Sequence, residues 1–167
     1  MIENHLYTCD DKLKWWGYGE WVEEADNVYF THNEIECHVI RSAHKESNAQ
    51  NFHIFGGHLC GYCRIPKDHP YYEKEYEEMN IDVYFALTFG EFLNNEYWIG
   101  FDCAHACDII PSMQYLEKSN PGLIEIKKKC KELLKKININ DNPKTYKNMN
   151  FVIEECKSIA EQLNAIK

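Results

Sequence analysis

The chain has 167 residues, eight cysteines and a formal net charge of −9 at pH 7. This length fits a single domain, 1–167. The net negative charge disfavours direct contact with nucleic acid, because it would repel the phosphates. The acidic residues either improve solubility or form a face that binds a basic partner. No apolar run approaches the roughly 20 residues of a membrane-spanning helix, so no membrane partner is expected.

The N-terminal segment, residues 1–25, is rich in aromatic side chains. It lacks the basic start and apolar core of a signal peptide, so the cysteines are expected to be reduced thiols in a cytosol. Its stretch "KWWGYGEW" forms either a buried lid over a sheet or, if exposed, a patch that binds a partner. In the second case Trp15 and Trp16 are candidate contacts.

Residues 26–110 are predicted to form the sheet. "DNVYFTH" and "IECHVIRS" alternate around Asn33-Glu34 and predict a hairpin, while "HLCGYCRI" predicts a separate strand. "IDVYFALTFGEF" and "EYWIGFDCAH" flank "LNN" and predict a second hairpin. Because such short links cannot form parallel crossovers, we expect an antiparallel sheet of four to five strands within about residues 27–105.

Residues 111–167 change to a helical period. Asn120 and Pro121 suit the cap and first position of a helix over about 121–137, and a second amphipathic helix is predicted over about 148–166. Cys130 and Cys156 lie on the apolar stripes of these helices and are expected to be core thiols. The predicted fold class is α+β, an antiparallel sheet packed by two C-terminal helices.

Two cysteine-rich stretches raise the possibility of a metal site. Cys60 and Cys63 form C-x-x-C, and Cys103, His105 and Cys107 form C-x-H-x-C. Together they could close a tetrahedral zinc site, which would make the chain a structural zinc protein. Against this, residues three apart in a regular strand point to opposite faces. Zinc is therefore an alternative, and the leading prediction has no cofactor.

The segment "GFDCAHACD" also contains the residue types of a small enzyme. Cys103, His105 and Asp102 could supply a nucleophile and a base, and in a helical turn Asp108 could orient the His105 imidazole. Arg41 would then hold the anionic part of a nucleotide ligand. The alternative function is thus a small enzyme or nucleotide-binding protein with a pocket at Asp102–Asp108. The structural alternative is a polar junction between the last strand and the helical half.

Several segments resemble, in order, a family of small proteins of bacteriophages, prophages and mobile elements. They are "ECHVIR", "GHLCGYCRIPKDHP", "ALTF", "WIGFDCAHACD" and "TYKNMNFVIEECKSIAEQL". The most specific element is Gly-Phe-Asp-Cys-Ala-His-x-x-Asp. The positions that match the family pattern are Cys37, Arg41, Cys60, Gly61, Tyr62, His69, Pro70, Asp102, Cys103, His105 and Asp108.

The chain departs from that pattern at Cys63, at Cys107 and in the segment Tyr84-Phe85-Ala86. Cys63 stands where the family has valine, and Cys107 stands at a variable position, which weakens the zinc hypothesis. Tyr84, Phe85 and Ala86 replace a His-Gly-Gly segment, so bulky side chains fill space that a ligand would need.

The resemblance implies a phage or mobile-element origin and a location in the cytoplasm of a bacterial host. We therefore predict a non-enzymatic accessory protein that binds and inhibits a host defence factor, such as a CRISPR effector, through an acidic, aromatic surface. Its partner would be a host protein with a basic surface. The candidate binding residues are Arg41, Tyr62, His69, Asp102, Trp15 and Trp16.

Overall fold

The computed structural model describes residues 1–43, 56–122, 124–126, 128–129 and 144–166, and its centre is a six-stranded antiparallel sheet in the order β1-β2-β3-β4-β6-β5. The strands are β1 Ile2–Asn4, β2 Asn27–His32, β3 Ile35–Arg41, β4 Leu59–Ile65, β5 Phe89–Leu93 and β6 Glu96–Asp102. This confirms the predicted α+β class with an antiparallel sheet. The additional strand, β1, pairs with β2 at one edge.

Among the described residues, the helices with defined ends are α1 Cys9–Trp16, α2 Pro111–Ser119 and α3 Met149–Ala165. Helix α3 confirms the predicted C-terminal helix. Within the predicted helix 121–137, the described residues 121–122, 124–126 and 128–129 are helical, and the remainder lies outside the described residues. Short 3-10 helices occupy Glu20–Val22 and Tyr76–Glu78. Among the described residues, no helix is long and apolar enough to cross a bilayer.

Both predicted hairpins are present, and their turns set the register of the sheet. Asn33 and Glu34 have φ values of 47° and 69°, and Asn94 and Asn95 have 51° and 65°. Two successive positive φ angles suit the tight hairpin turn whose twist matches that of the flanking strands. The first turn brings Tyr29 opposite His38.

The predicted strand over residues 81–92 is wrong in its first part, since β5 begins only at Phe89. The backbone N–H of Tyr84 donates to Glu155 Oε2 on α3 at 2.9 Å, so it is not available to a neighbouring strand. Phe85 has a φ of 61°, which is incompatible with an extended strand. This segment is instead an irregular chain held against α3, since the backbone N–H of Asp82 also donates to Gln162 Oε1, at 2.7 Å.

Helices α1 and α2 were not predicted from the sequence. Helix α1 begins with a reciprocal capping box, in which Thr8 and Asp11 each accept a backbone hydrogen bond from the other. Helix α2 has Pro111 at its first position, where the missing N–H costs nothing. The predicted helix start at Asn120 is supported, because its Oδ1 accepts from the N–H of Gly122 at 3.0 Å.

The core lies between α3 and one face of the sheet, which we call the covered face. The α3 residues buried there are Met149, Val152, Ile153, Cys156, Ile159, Ala160 and Leu163. The thiols of Cys37 and Cys63 lie 3.7 Å apart, and Cys63 Sγ lies 3.4 Å from the carbonyl oxygen of Cys156. The prediction of Cys156 as a core thiol is thus confirmed, and Cys130 lies outside the described residues.

Strands β2, β3 and β4 alternate between this core and the opposite face, which we call the open face. In β4, residues Leu59, Gly61, Cys63 and Ile65 are buried and the residues between them are half-buried. Of the described helices, only α3 packs extensively on the strands, and it does so on the covered face. The two faces of one sheet therefore have different environments.

Candidate functional site

The segment after β6, residues 103–108, forms a compact turn and not a continued strand. Strand β6 ends at Asp102, whose Oδ1 accepts from the N–H of Ala104 at 3.0 Å and whose Oδ2 accepts from Thr88 Oγ1 at 3.0 Å. Asp108 then pairs with Thr145 in an isolated parallel bridge. The turn therefore connects the last strand to the approach to α3.

His105 and Asp108 meet as the helical-turn alternative predicts. Asp108 Oδ2 accepts from the His105 backbone N–H at 2.9 Å and lies 3.2 Å from His105 Nδ1. Asp108 Oδ1 accepts from Tyr84 Oη at 2.6 Å, and burial together with this carboxylate raises the pKa of Tyr84. Both oxygens of Asp108 are thus engaged in positioning neighbours, and its side chain is fully buried.

Cys103 is poorly placed for a nucleophile. Its side chain is buried, and its backbone N–H donates to the Leu59 carbonyl oxygen at 3.0 Å. Burial raises the pKa of its thiol well above the ordinary value, and the nearby carboxylate of Asp108 raises it further. The thiolate that nucleophilic chemistry requires is therefore disfavoured.

The aromatic segment Tyr84-Phe85 covers this turn. Phe85 stacks on the His105 ring at a centroid distance of 4.0 Å and an interplanar angle of 9°, and Tyr84 contacts the same ring edge-on at 5.5 Å. Phe85 also has a positive φ, a conformation that glycine adopts without strain. The rings of Tyr84 and Phe85 thus fill the space beside the His105 imidazole.

The cysteines of the proposed zinc site do not converge. Cys63 lies on the covered face beside Cys37, whereas Cys60 lies on the open face opposite Asp102. This separation follows from the regular strand geometry of β4, which directs residues three apart to opposite faces. No group of three or more His, Cys, Asp or Glu side chains within the described ranges could hold a metal ion.

Arg41 lies in the interior, with all five of its N–H donors used. Nε donates to Asp26 Oδ1 at 2.7 Å, Nη1 to the Gly57 carbonyl oxygen and Tyr146 Oη, both at 2.8 Å, and Nη2 to Glu24 Oε2 and the Ala25 carbonyl oxygen. Its side chain has no exposed area. Arg41 therefore has no donor left for a ligand anion, contrary to its role in the nucleotide-binding alternative.

The N-terminal aromatic cluster is also part of the interior. Trp16 is 1% exposed, and Trp15 is half-buried and packs edge-on against Tyr7 at 5.5 Å. The structure thus excludes Trp16 as a surface contact. The exposed aromatic of this segment is Tyr18, at 85%.

His69 has a structural role, since it ties the loop after β4 to the end of α3. Its Nε2 lies 2.9 Å from the Leu163 carbonyl oxygen, and its Nδ1 accepts from the Tyr71 N–H at 3.0 Å. Both ring nitrogens are therefore used within the chain.

Tyr62, in contrast, lies on the open face, in a row of side chains that crosses all six strands. The successive register partners in this row are Ile2, Tyr29, His38, Tyr62, Gly100 and Phe89. Tyr29 and His38 stack at 3.9 Å with an interplanar angle of 10°, and Tyr62 meets Phe89 edge-on at 5.2 Å. We call these four rings the aromatic row.

Gly100 makes the contact between Tyr62 and Phe89 possible. A Cβ atom at this position would lie 2.5 Å from Tyr62 Cδ1 and 2.7 Å from the Gly61 carbonyl oxygen. The absence of a side chain lets the Tyr62 ring lie across β6 toward the edge strand. The row is thus continuous although one of its positions carries no side chain.

A second row beside the aromatic row carries charge. Arg64 donates to Glu36 Oε1 at 2.8 Å and to Glu96 Oε2 at 2.9 Å, and Trp98 is its register partner on β6. A cleft of about 550 Å³ lies between the two rows. The charged strand residues of the open face are Glu36, Arg64, Glu91, Glu96 and Asp102, which leaves three net negative charges when His38 is neutral.

His38 is neutral at physiological pH, because burial lowers its pKa from 6.5 to about 4. Its Nε2 lies 2.7 Å from Asn27 Oδ1. Sequence reasoning placed Tyr62 and Asp102 among the candidate residues but missed His38, Trp98 and Phe89. Strand alternation indicates that these residues share a face, but only the strand order shows that they form adjacent rows.

Comparisons with family models, with curated proteins and with solved structures found no match to this chain, so the resemblance to a phage-associated family stays a prediction.

Proposed function

We propose that this protein is a non-enzymatic binding protein that holds a basic host protein against the open face of its sheet. The observation that carries the proposal is the aromatic row, Tyr29, His38, Tyr62 and Phe89, beside a cleft edged by carboxylates. Partly exposed aromatic side chains on a fixed sheet provide contact area at little cost in side-chain entropy.

The charge of the open face favours a basic protein over nucleic acid. Aromatic rows on sheets can stack bases, but such platforms are accompanied by basic grooves that follow the phosphates. Here the strand residues of the face contain four carboxylates and one guanidinium, and the whole chain has a net charge of −9. A basic protein surface would be attracted to this face, whereas a phosphate backbone would be repelled.

The geometry of the Asp102–Asp108 segment favours a structural role there and thereby supports a binder over an enzyme. Asp108 is buried with both oxygens engaged, and Cys103 is a buried thiol with a raised pKa. These features stabilise a connection between β6 and the approach to α3. The proposed inhibition of a bacterial defence factor in the host cytoplasm rests on the family resemblance.

A capture experiment with matched variants tests this proposal. The full chain is immobilised and exposed to bacterial host lysate, in parallel with Tyr62→Ala/Trp98→Ala and with Tyr18→Ala. Tyr18 is a highly exposed aromatic that does not line the open-face cleft, so its variant controls for general stickiness. We expect the wild type and Tyr18→Ala to retain one stoichiometric protein and the double variant to lose it, while circular dichroism shows all three to be folded.

A captured protein is then assayed for its own activity with increasing amounts of the chain. Loss of that activity at a molar ratio near one would support inhibition. Equal capture by the double variant and the wild type would overturn the proposal that the open face is the binding surface.

A further inference from the structure

The cleft on the open face combines aromatic rings with carboxylates. Its walls include the rings of Tyr29, Tyr62 and Trp98 and the side chains of Glu36 and Glu96. Ring faces attract cations through their quadrupole, and the attraction increases where the site is partly shielded from water. Carboxylates beside such rings add directional acceptors.

Arg64 shows how this cleft holds a guanidinium. Its two terminal nitrogens donate to Glu36 Oε1 and Glu96 Oε2, at 2.8 and 2.9 Å. The other oxygens of these carboxylates, Glu36 Oε2 and Glu96 Oε1, accept no hydrogen bond from the described residues. Two carboxylates around one guanidinium leave a net negative charge and acceptors for a second cation.

Among the side chains that line the cleft, Arg64 is the cation and His38 adds no second positive charge at neutral pH. His38 lies next to the cleft and donates from its ring to the Asn27 side chain as a neutral imidazole. Glu91, on the adjacent edge strand, is the register partner of Trp98 and adds a further carboxylate to the same row. The field across this part of the open face is therefore negative at neutral pH.

We infer that the open-face cleft is a recognition site for a cationic side chain, an arginine or lysine that the basic partner inserts between Trp98 and the two glutamates. The site deepens, and rests on, the proposed binding function. The aliphatic stem of the inserted side chain would cover the rings, and its charged head would meet the free oxygens of Glu36 and Glu96.

The test uses a short arginine-rich peptide and the same peptide with citrulline in place of arginine. Citrulline keeps the length and planarity of the side chain but carries no charge. We expect the arginine peptide to shift the backbone amide resonances of β4 and β6, which carry Tyr62 and Trp98. We also expect it to bind about tenfold more tightly than the citrulline peptide. Binding of the arginine peptide should weaken steeply with added salt.

A pair of charge variants separates the cleft from the general acidity of the chain. Glu36→Gln/Glu96→Gln removes the two carboxylates, and Glu154→Gln removes an exposed carboxylate on α3. We expect binding to weaken about fivefold or more in the double variant and to remain unchanged in Glu154→Gln. The inference would be overturned if the citrulline peptide bound as tightly as the arginine peptide. It would also be overturned if Glu154→Gln weakened binding as much as Glu36→Gln/Glu96→Gln.

The outcomes also distinguish this inference from the proposed function. If Tyr62→Ala/Trp98→Ala abolishes partner capture while Glu36→Gln/Glu96→Gln leaves it intact, the open face binds a partner without cation recognition, and the inference is wrong. If a single-stranded oligonucleotide binds the cleft more tightly than the arginine peptide, both are wrong.

Discussion

Arg41 and Arg64 lie on opposite faces of the same sheet, and their burial and hydrogen bonding differ. Each lies between two carboxylates. Arg41, on the covered face, has no exposed side-chain area and uses all five donors inside the chain. Arg64, on the open face, is 27% exposed, and its Nε has no partner among the described groups. Burial makes the first a structural element and leaves the second within reach of a partner.

The largest expected effect is a loss of stability on substitution of Arg41, for which Arg64 provides the comparison. Arg41→Met leaves the half-buried Glu24 without this ion pair and the buried Asp26 with Lys12 alone, so we expect the free energy of unfolding to fall by about 3–5 kcal/mol. Arg64→Met removes a partly exposed ion pair, and we expect a loss of at most about 1 kcal/mol. Urea unfolding followed by circular dichroism measures both.

The comparison fails if the two variants lose the same stability. A more conservative substitution, Arg41→Lys, provides the control for charge. It keeps the positive charge but cannot supply five donors in a planar arrangement, so it should be less stable than the wild type and more stable than Arg41→Met.

A second comparison uses two isoleucines, one on each face. Ile99 has no exposed area and packs in the core, so Ile99→Ala should cost about 2–5 kcal/mol through lost burial and a cavity. Ile40 is half-buried beside the open-face cleft, and Ile40→Ala should cost about 1 kcal/mol while weakening partner capture. Thermal denaturation and the capture assay together separate the two roles. A loss of capture in a folded Ile99→Ala, with capture unchanged in Ile40→Ala, would reverse the assignment of the faces.

Gly100 offers a test inside the open face itself. Because a Cβ there would clash with Tyr62 and with the Gly61 carbonyl oxygen, Gly100→Ala should cost about 1–3 kcal/mol. Tyr62→Ala removes one of these clashes, so the double variant should be less destabilised than the sum of the two single variants. Strict additivity in a urea-unfolding cycle would show that the ring does not lie across β6.

Much of this fold could be predicted from local sequence signals. The hairpin turns at Asn33-Glu34 and Asn94-Asn95, the amphipathic stripe of α3 and the alternation of β3 are all encoded by neighbouring residues. The irregular segment around Phe85 could not be predicted, because its backbone is held by side chains of α3 that are distant in sequence. The β-propensity of these residues favours a strand, but tertiary contacts with α3 hold the segment in an irregular conformation.

The candidate site was harder to predict for a related reason. The dense cluster of Cys, His and Asp after β6 contains residue types that can carry out catalysis, but its geometry stabilises a turn. The aromatic row consists of single rings from four strands, Tyr29, His38, Tyr62 and Phe89. No short motif contains such a row, because it exists only once the strand order and register are known.

Protonation of His38 has the smallest expected effect on stability. Its pH dependence tests how far the open face excludes water from the ring. Its pKa is lowered to about 4, whereas in the unfolded chain it is near 6.5, so the unfolded state binds the proton first as the pH falls. Its contribution is complete above pH 6.5 and is lost progressively toward pH 4. Because the ring is partly exposed, we discount this loss for screening and expect about 1–2 kcal/mol.

The variant His38→Gln isolates this contribution, since it is uncharged at every pH. The difference in unfolding free energy between wild type and variant should change between pH 6.5 and 4 and be constant above pH 7. Protonated His38 would also place a positive charge beside the cleft, so the arginine peptide should bind more weakly below pH 5 in the wild type than in His38→Gln. A pH-independent difference would mean that water reaches the ring freely and that the stacked Tyr29 does not shield it.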